Sequence, residues 1–120
     1  ELKSGVYFQT KIRMYGIDTP EAHPKNVINE ELLNLEKRAS EHITQKVKKL
    51  IEGKVLKIRI IDYDKYGGRY IGDIFLSNAN SPRKSSLLSN YLIKKGFGKK
   101  YYGTAKEEWT REELLFILES

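Results

Sequence analysis

From Val6 to Tyr15 apolar and polar positions alternate. Val6, Phe8, Thr10, Ile12 and Met14 fall on one side, and Tyr7, Gln9, Lys11, Arg13 and Tyr15 on the other. A period of two predicts a half-buried strand that carries Arg13 on the face opposite Ile12 and Met14. Gly16 allows a bend, and Pro20 removes a backbone donor where the strand has to stop. His23 to Val27, with Pro24, reads as loop. From Asn29 the period changes. Leu32, Leu35, Ala39, Ile43, Val47 and Leu50 recur at spacings of three and four, the apolar stripe of a long amphipathic helix. Asn29 is its expected N-cap, Glu30 and Glu31 suit the first turn, Lys48 and Lys49 suit the last, and Gly53 closes it.

Val55 to Tyr63 and Arg69 to Leu76 read as the arms of a hairpin around Asp64-Lys65-Tyr66-Gly67-Gly68. Ser77 to Ser85 is polar, contains Pro82 and predicts a mobile loop. A helix over Ser86 to Lys95 follows, with Leu87, Leu88, Tyr91 and Leu92 inward and Gly96 as its stop. Thr110 and Glu113 form a capping box that opens a short last helix over Leu114, Leu115 and Leu118. Strands before and between helices, with a hairpin connection, imply an α+β fold with a mixed sheet.

A chain of 120 residues predicts one domain, residues 1–120, able to bury roughly two thirds of its unfolded surface. Its 22 Lys and Arg exceed its 16 Asp and Glu, and a pI near 9.4 favours a polyanionic partner. With no cysteine, disulfides and thiolate metal sites are excluded. No apolar run approaches the roughly 20 residues of a membrane span, and no signal peptide is visible. The opening Glu1-Leu2-Lys3-Ser4-Gly5 reads as the interior of something longer, which leaves targeting open. A monomer is expected.

The candidate chemistry lies in Ile12 to Glu21, I-R-M-Y-G-I-D-T-P-E. A strand delivers Arg13, and the turn after it carries Asp18 and Glu21 around Pro20. A carboxylate for a hard cation and a guanidinium for developing charge suit attack on a phosphodiester. A surface turn with an ordinary ion pair is the competing reading.

R-x-x-x-x-D-T-P-E resembles the signature of the staphylococcal-nuclease (thermonuclease-like) family. Two further segments agree with it in order: Asp64-Lys65-Tyr66-Gly67 followed by Gly68 and Arg69, and Leu87 to Gly96. The resemblance runs from about Val6 to about Tyr102. It implies a small five-stranded β-barrel of the oligonucleotide-binding (OB) type flanked by three helices. It further implies a calcium-dependent nuclease that hydrolyses DNA and RNA, single-stranded or locally open, with little sequence preference and leaves 3′-phosphate ends. It admits a secreted or membrane-anchored protein.

By the same resemblance Asp18 and the Thr19 carbonyl are calcium ligands, whereas a turn-capping aspartate is the alternative from the residues alone. Glu21 activates or positions the attacking water, against an exposed loop acid. Arg13 forks onto phosphoryl oxygens, against a structural ion pair. Arg69 is assigned by analogy to the second arginine of the family. The family places that arginine directly after D-K-Y-G, whereas Gly68 intervenes here. An added residue in the turn is tolerated, but one in the strand reverses the face. Lys65 and Tyr66 match contacts to a terminal phosphate, and Tyr101 and Tyr102 lie where the family places aromatics beside the base. Lys99 and Lys100 are candidates for tracking the backbone, and His23 is read as a loop histidine without a special role.

One departure stands out. The family carries D-G-D-T, with a further calcium ligand, on the strand before the one that opens this chain, and Glu1 to Ile12 hold no aspartate. Either the first strands precede this segment, as its mid-strand opening suggests, or the ligand is lacking. The second reading, from another class, is a nuclease-like module that binds nucleic acid or protein without cutting, as in relatives that contain tudor domains. A general polyanion-binding barrel is a third, resting on net charge.

Overall fold

The computed structural model describes residues 9–25 and 27–120, so the expected strand residues Val6 to Phe8 lie outside it. Its elements in chain order are β1 (Ile12–Met14), β2 (Ile17–Asp18), α1 (Glu30–Ile51), β3 (Lys57–Asp64), β4 (Arg69–Phe75), α2 (Leu88–Lys95), β5 (Lys99–Lys100) and α3 (Arg111–Leu118). The fold class is α+β. A short 3-10 turn, Lys84–Ser86, ends the polar loop after β4.

The helices form where the periodicity and caps place them. The Asn29 side chain accepts a hydrogen bond from the Leu32 N–H at 3.1 Å and opens α1. Leu35, Ala39 and Ile43 are its buried positions, with Leu32, Val47 and Leu50 packed beside them. At α2, Leu88 and Leu92 are buried and Gly96 ends the helix, but Tyr91 is exposed and Ser89 takes the inward position instead. The buried arc of that helix runs through Leu88, Ser89 and Leu92, and Tyr91 lies at its margin. Both halves of the Thr110–Glu113 capping box are made. In α3 the fully buried residues are Leu114 and Ile117.

Two sheets result. β1, β4 and β3 form one, in that order, with β1 parallel to β4 and β3 antiparallel to it, while β2 and β5 form an antiparallel pair. Neither β2 nor β5 has a sequence signal, since each is two residues long and exists only through the other. The resemblance implied a five-stranded OB-type barrel; among the described residues five strands form two separate sheets and do not close into a barrel. Among the described residues β1 and β3 each pair with β4 alone and form the two edges of that sheet. Ile58, Ile60 and Ile61 on the edge strand β3 are correspondingly about half exposed, at 45%, 51% and 45%.

A bulge at Ile61 bends β3, because Ile60 pairs with Gly72 and Asp62 with Ile71. Glycine is needed opposite it: a Cβ at position 72 would lie 2.5 Å from the Arg59 carbonyl oxygen. The core lies between the helices and the inner sheet faces, with Ile17, Leu35, Ile43, Leu88, Phe97, Trp109 and Leu114 in one cluster. Each fully buried leucine there contributes about 1.5–3 kcal/mol.

Two stability measurements check this packing. Leu114→Ala keeps helix propensity in α3 but opens a cavity, so urea unfolding should show a loss of about 2–5 kcal/mol. Burial alone would raise the Glu113 carboxyl, but the Thr110 N–H and the Lys99 ammonium outweigh it and hold the group below its ordinary value of 4.5. A lowered folded-state pKa stabilises above the unfolded value and is lost as pH falls through the folded one. Glu113→Gln should therefore be less stable than the natural chain at neutral pH, with the difference shrinking below about pH 4.5.

Candidate active site

β1 ends at Met14, the chain turns through Tyr15 and Gly16, and β2 ends at Asp18. Pairing of Asp18 with Lys99 of β5 fixes the backbone at that point, and Thr19, Pro20 and Glu21 leave the sheet directly after it. Asp18 is buried, at 9% exposure, although it carries a carboxylate. A buried charge requires partners. The indole N–H of Trp109 donates to Asp18 Oδ2 at 3.3 Å, and the Lys106 ammonium lies 3.4 Å from Oδ1. The same ammonium donates to Glu21 Oε2 at 3.2 Å, so Lys106 bridges the two acids. The Glu21 backbone N–H donates to Glu36 Oε2 at 3.0 Å. Burial, reinforced by the nearby charges of Glu21 and Asp18, raises the Glu36 carboxyl above its ordinary value. For Lys106 burial acts downward, but the Glu21 and Asp18 carboxylates prevail and push the ammonium pKa up.

The arginines reach the same place along a different route. β1 and β4 run parallel with Arg13 opposite Ile71, and Arg69 lies two residues before Ile71. Side chains two apart on a strand share a face, so Arg13 and Arg69 point to one side. The added residue, Gly68, sits in the turn at φ +64°, a left-handed conformation that glycine adopts without strain, and so it does not shift the strand register. Arg69 Nε is buried without a hydrogen-bond partner and lies 3.6 Å from Asp64 Oδ2. The side chain as a whole is 43% exposed, which leaves its remaining atoms accessible.

Arg13, Asp18, Thr19, Glu21, Arg69 and Lys106 all line one open cleft of about 520 Å³. His23 and Lys25 also border it, so the histidine expected to be an ordinary loop residue stands at the rim. Cations facing a pair of acids in one open cleft can take up an anionic ester with a carboxylate beside it to handle a proton.

The other expected residues fall elsewhere. Lys65 and Tyr66 occupy the tip of the β3–β4 hairpin, outside that lining. Tyr66 is 92% exposed, and the turn is held by Asp64 Oδ1, which accepts from the Tyr66 and Gly67 N–H groups. Tyr101 lies beside the cleft with Arg13 5.9 Å and Lys106 5.3 Å from its ring centroid. Tyr102 is exposed and meets the edge of Tyr15 at 5.4 Å. Lys99 is pinned by Glu113 at 2.9 Å and by the Trp109 ring at 4.5 Å, which makes it a structural residue and leaves Lys100 as the exposed one of the pair.

Lys106, Trp109 and Glu36 are not legible as site residues in the sequence. Their only linear signal is K-x-x-W after the aromatic pair, and the contacts they make span up to 91 residues.

The family model described as staphylococcal nuclease homologue matches residues 11–119. The chain belongs to that family. No curated protein compared with the chain matches it. Members of this family are typically calcium-dependent, so the donor set bears on a metal. The Asp18 carboxylate and the adjacent Thr19 carbonyl are hard oxygens and fit calcium in kind. They are part of a shell only, since calcium takes about six to eight oxygens. Among the described residues no three His, Cys, Asp or Glu side chains gather as a metal cluster. No helix among them is long and apolar enough to cross a membrane.

Trp109 is the only tryptophan and touches Asp18, so its fluorescence reports on that carboxylate. Adding calcium should change its emission in the natural chain, and Asp18→Asn should abolish the response. An identical titration in both proteins would remove Asp18 from the metal site.

Proposed function

We propose that the protein is a calcium-dependent nuclease that hydrolyses phosphodiester bonds of DNA and RNA with little sequence preference and leaves 3′-phosphate ends. The observation that carries this reading is the convergence of Arg13, Asp18, Glu21 and Arg69 on one open cleft.

The roles follow from charge and position. Arg13 and Arg69, on one sheet face, bind the phosphoryl oxygens from two points and gain as negative charge builds on them. Glu21 stands at the exposed side of the cleft, where its carboxylate orients the attacking water and takes its proton. Asp18 and the Thr19 carbonyl would hold calcium, which supplies further positive charge beside the phosphate when bound. The turn residues Lys65 and Tyr66 and the aromatics Tyr101 and Tyr102 lie outside the cleft lining and extend the contact to neighbouring phosphates and bases. Stacking on a tyrosine face is worth about 1–3 kcal/mol per base and tolerates any base, in keeping with low specificity. The net charge of +6 favours the approach of a polyanion. We further propose an OB-type β-barrel as the architecture of the domain, a reading supported by the family match.

The test is cleavage of plasmid DNA and of RNA by purified protein, with calcium and with chelator. Cleavage should stop in chelator. Glu21→Gln and Arg13→Ala should each lower the rate about 100- to 1,000-fold while binding of a labelled oligonucleotide is largely kept. Binding without cleavage in the natural chain would instead identify a non-cutting nuclease-like module, and unchanged rates in the variants would overturn the assigned roles.

A further inference from the structure

The ammonium of Lys106 lies where the site expects a metal charge. It is 3.4 Å from Asp18 Oδ1, the carboxylate that the metal reading needs, and 3.2 Å from Glu21 Oε2, the carboxylate assigned to the attacking water. Both acids reach this point from the turn after β2, whereas Lys106 arrives from the segment between β5 and α3, 85 residues from Glu21. The segment is anchored next to the site, because Trp109 is buried in the core and holds the other oxygen of Asp18. Lys106 is therefore delivered to the acid pair from a fixed point close to it in the chain.

The ammonium has room to leave. Asp18, Glu21 and Lys106 also line a second hollow of about 560 Å³ on the α1 side, bordered by Glu36, Glu107 and Glu108. A lysine turned into that hollow would exchange one set of carboxylates for another and keep its charge compensated. Its Tyr101 contact at 5.3 Å is an attraction to an aromatic face and restrains it only weakly.

The geometry points to Lys106 as a resident cation that competes with the divalent metal for Asp18, with Glu21 as its second anchor, and so sets the affinity of the site. This rests on the calcium reading of the cleft given above. Lysine chemistry suits such a role, because its charge is a compact point on a flexible stem, able to compensate two carboxylates without the fixed fork of a guanidinium. A metal entering the pair has to displace the ammonium, and its apparent affinity falls by the free energy of that displacement. The closed pair and the metal-loaded pair are thus two states of one site, and Lys106 biases the balance toward the first.

The experiment is calorimetric titration of calcium chloride into the natural chain, Lys106→Met and Lys106→Arg. Methionine keeps the length of the stem and removes the charge, and should bind calcium about tenfold more tightly than the natural chain. Arginine retains the charge and should stay within about threefold of it. Equal or weaker binding by Lys106→Met overturns the inference. If the natural chain binds calcium and cuts nucleic acid while Lys106→Met binds no better, only the role of Lys106 falls. If no chain binds calcium and chelator leaves cleavage intact, the calcium reading falls with it.

Discussion

The indole of Trp109 joins the interior of this protein to its chemistry. Its ring lies in the hydrophobic cluster that holds the three helices together, and its N–H faces Asp18 across 3.3 Å. A carboxylate at 9% exposure is costly unless its oxygens are satisfied, and Trp109 satisfies one of them. Lys99 packs on the ring from the strand that pairs with Asp18 and continues to Glu113, which caps α3. The cap of the last helix, the core and the acidic residue of the cleft are thus one connected set of contacts.

Charge in the cleft is arranged with the same interdependence. Asp18 and Glu21 meet Lys106, while Arg13 and Arg69 stand on a neighbouring sheet face, so anions and cations share the cleft. A site of this kind does little covalent work. On the proposed reading it would place charge where a phosphodiester develops more of its own, with groups carried on paired strands. The β1–β4 pairing matters for this reason more than for its size, since only three residue pairs bring Arg13 and Arg69 onto one face.

Much of the fold is legible in local pattern. The stripe from Leu32 to Leu50, the Asn29 cap, the Thr110–Glu113 box and the turn after Asp64 depend on residues within a few positions of each other, and they form as the pattern predicts. Tyr91 departs from its expected inward position because packing turns the arc of Leu88, Ser89 and Leu92 inward and leaves Tyr91 at its margin. The motif around Asp18 is legible for a similar reason: Arg13, Asp18, Thr19 and Glu21 lie within nine residues of chain.

What sequence alone determined was therefore the helices, the hairpin and the candidate residues from Arg13 to Glu21, together with membership of a nuclease-like family. Only the tertiary structure decided that Arg69 shares a face with Arg13 in spite of Gly68, that Lys99 is a structural residue, and that Lys106 and Trp109 share the oxygens of Asp18. Caps and periodic stripes repeat over three or four residues and leave a trace in composition. A contact between positions 18 and 109 leaves none, because the free energy that forms it comes from burying a distant segment against the rest of the chain.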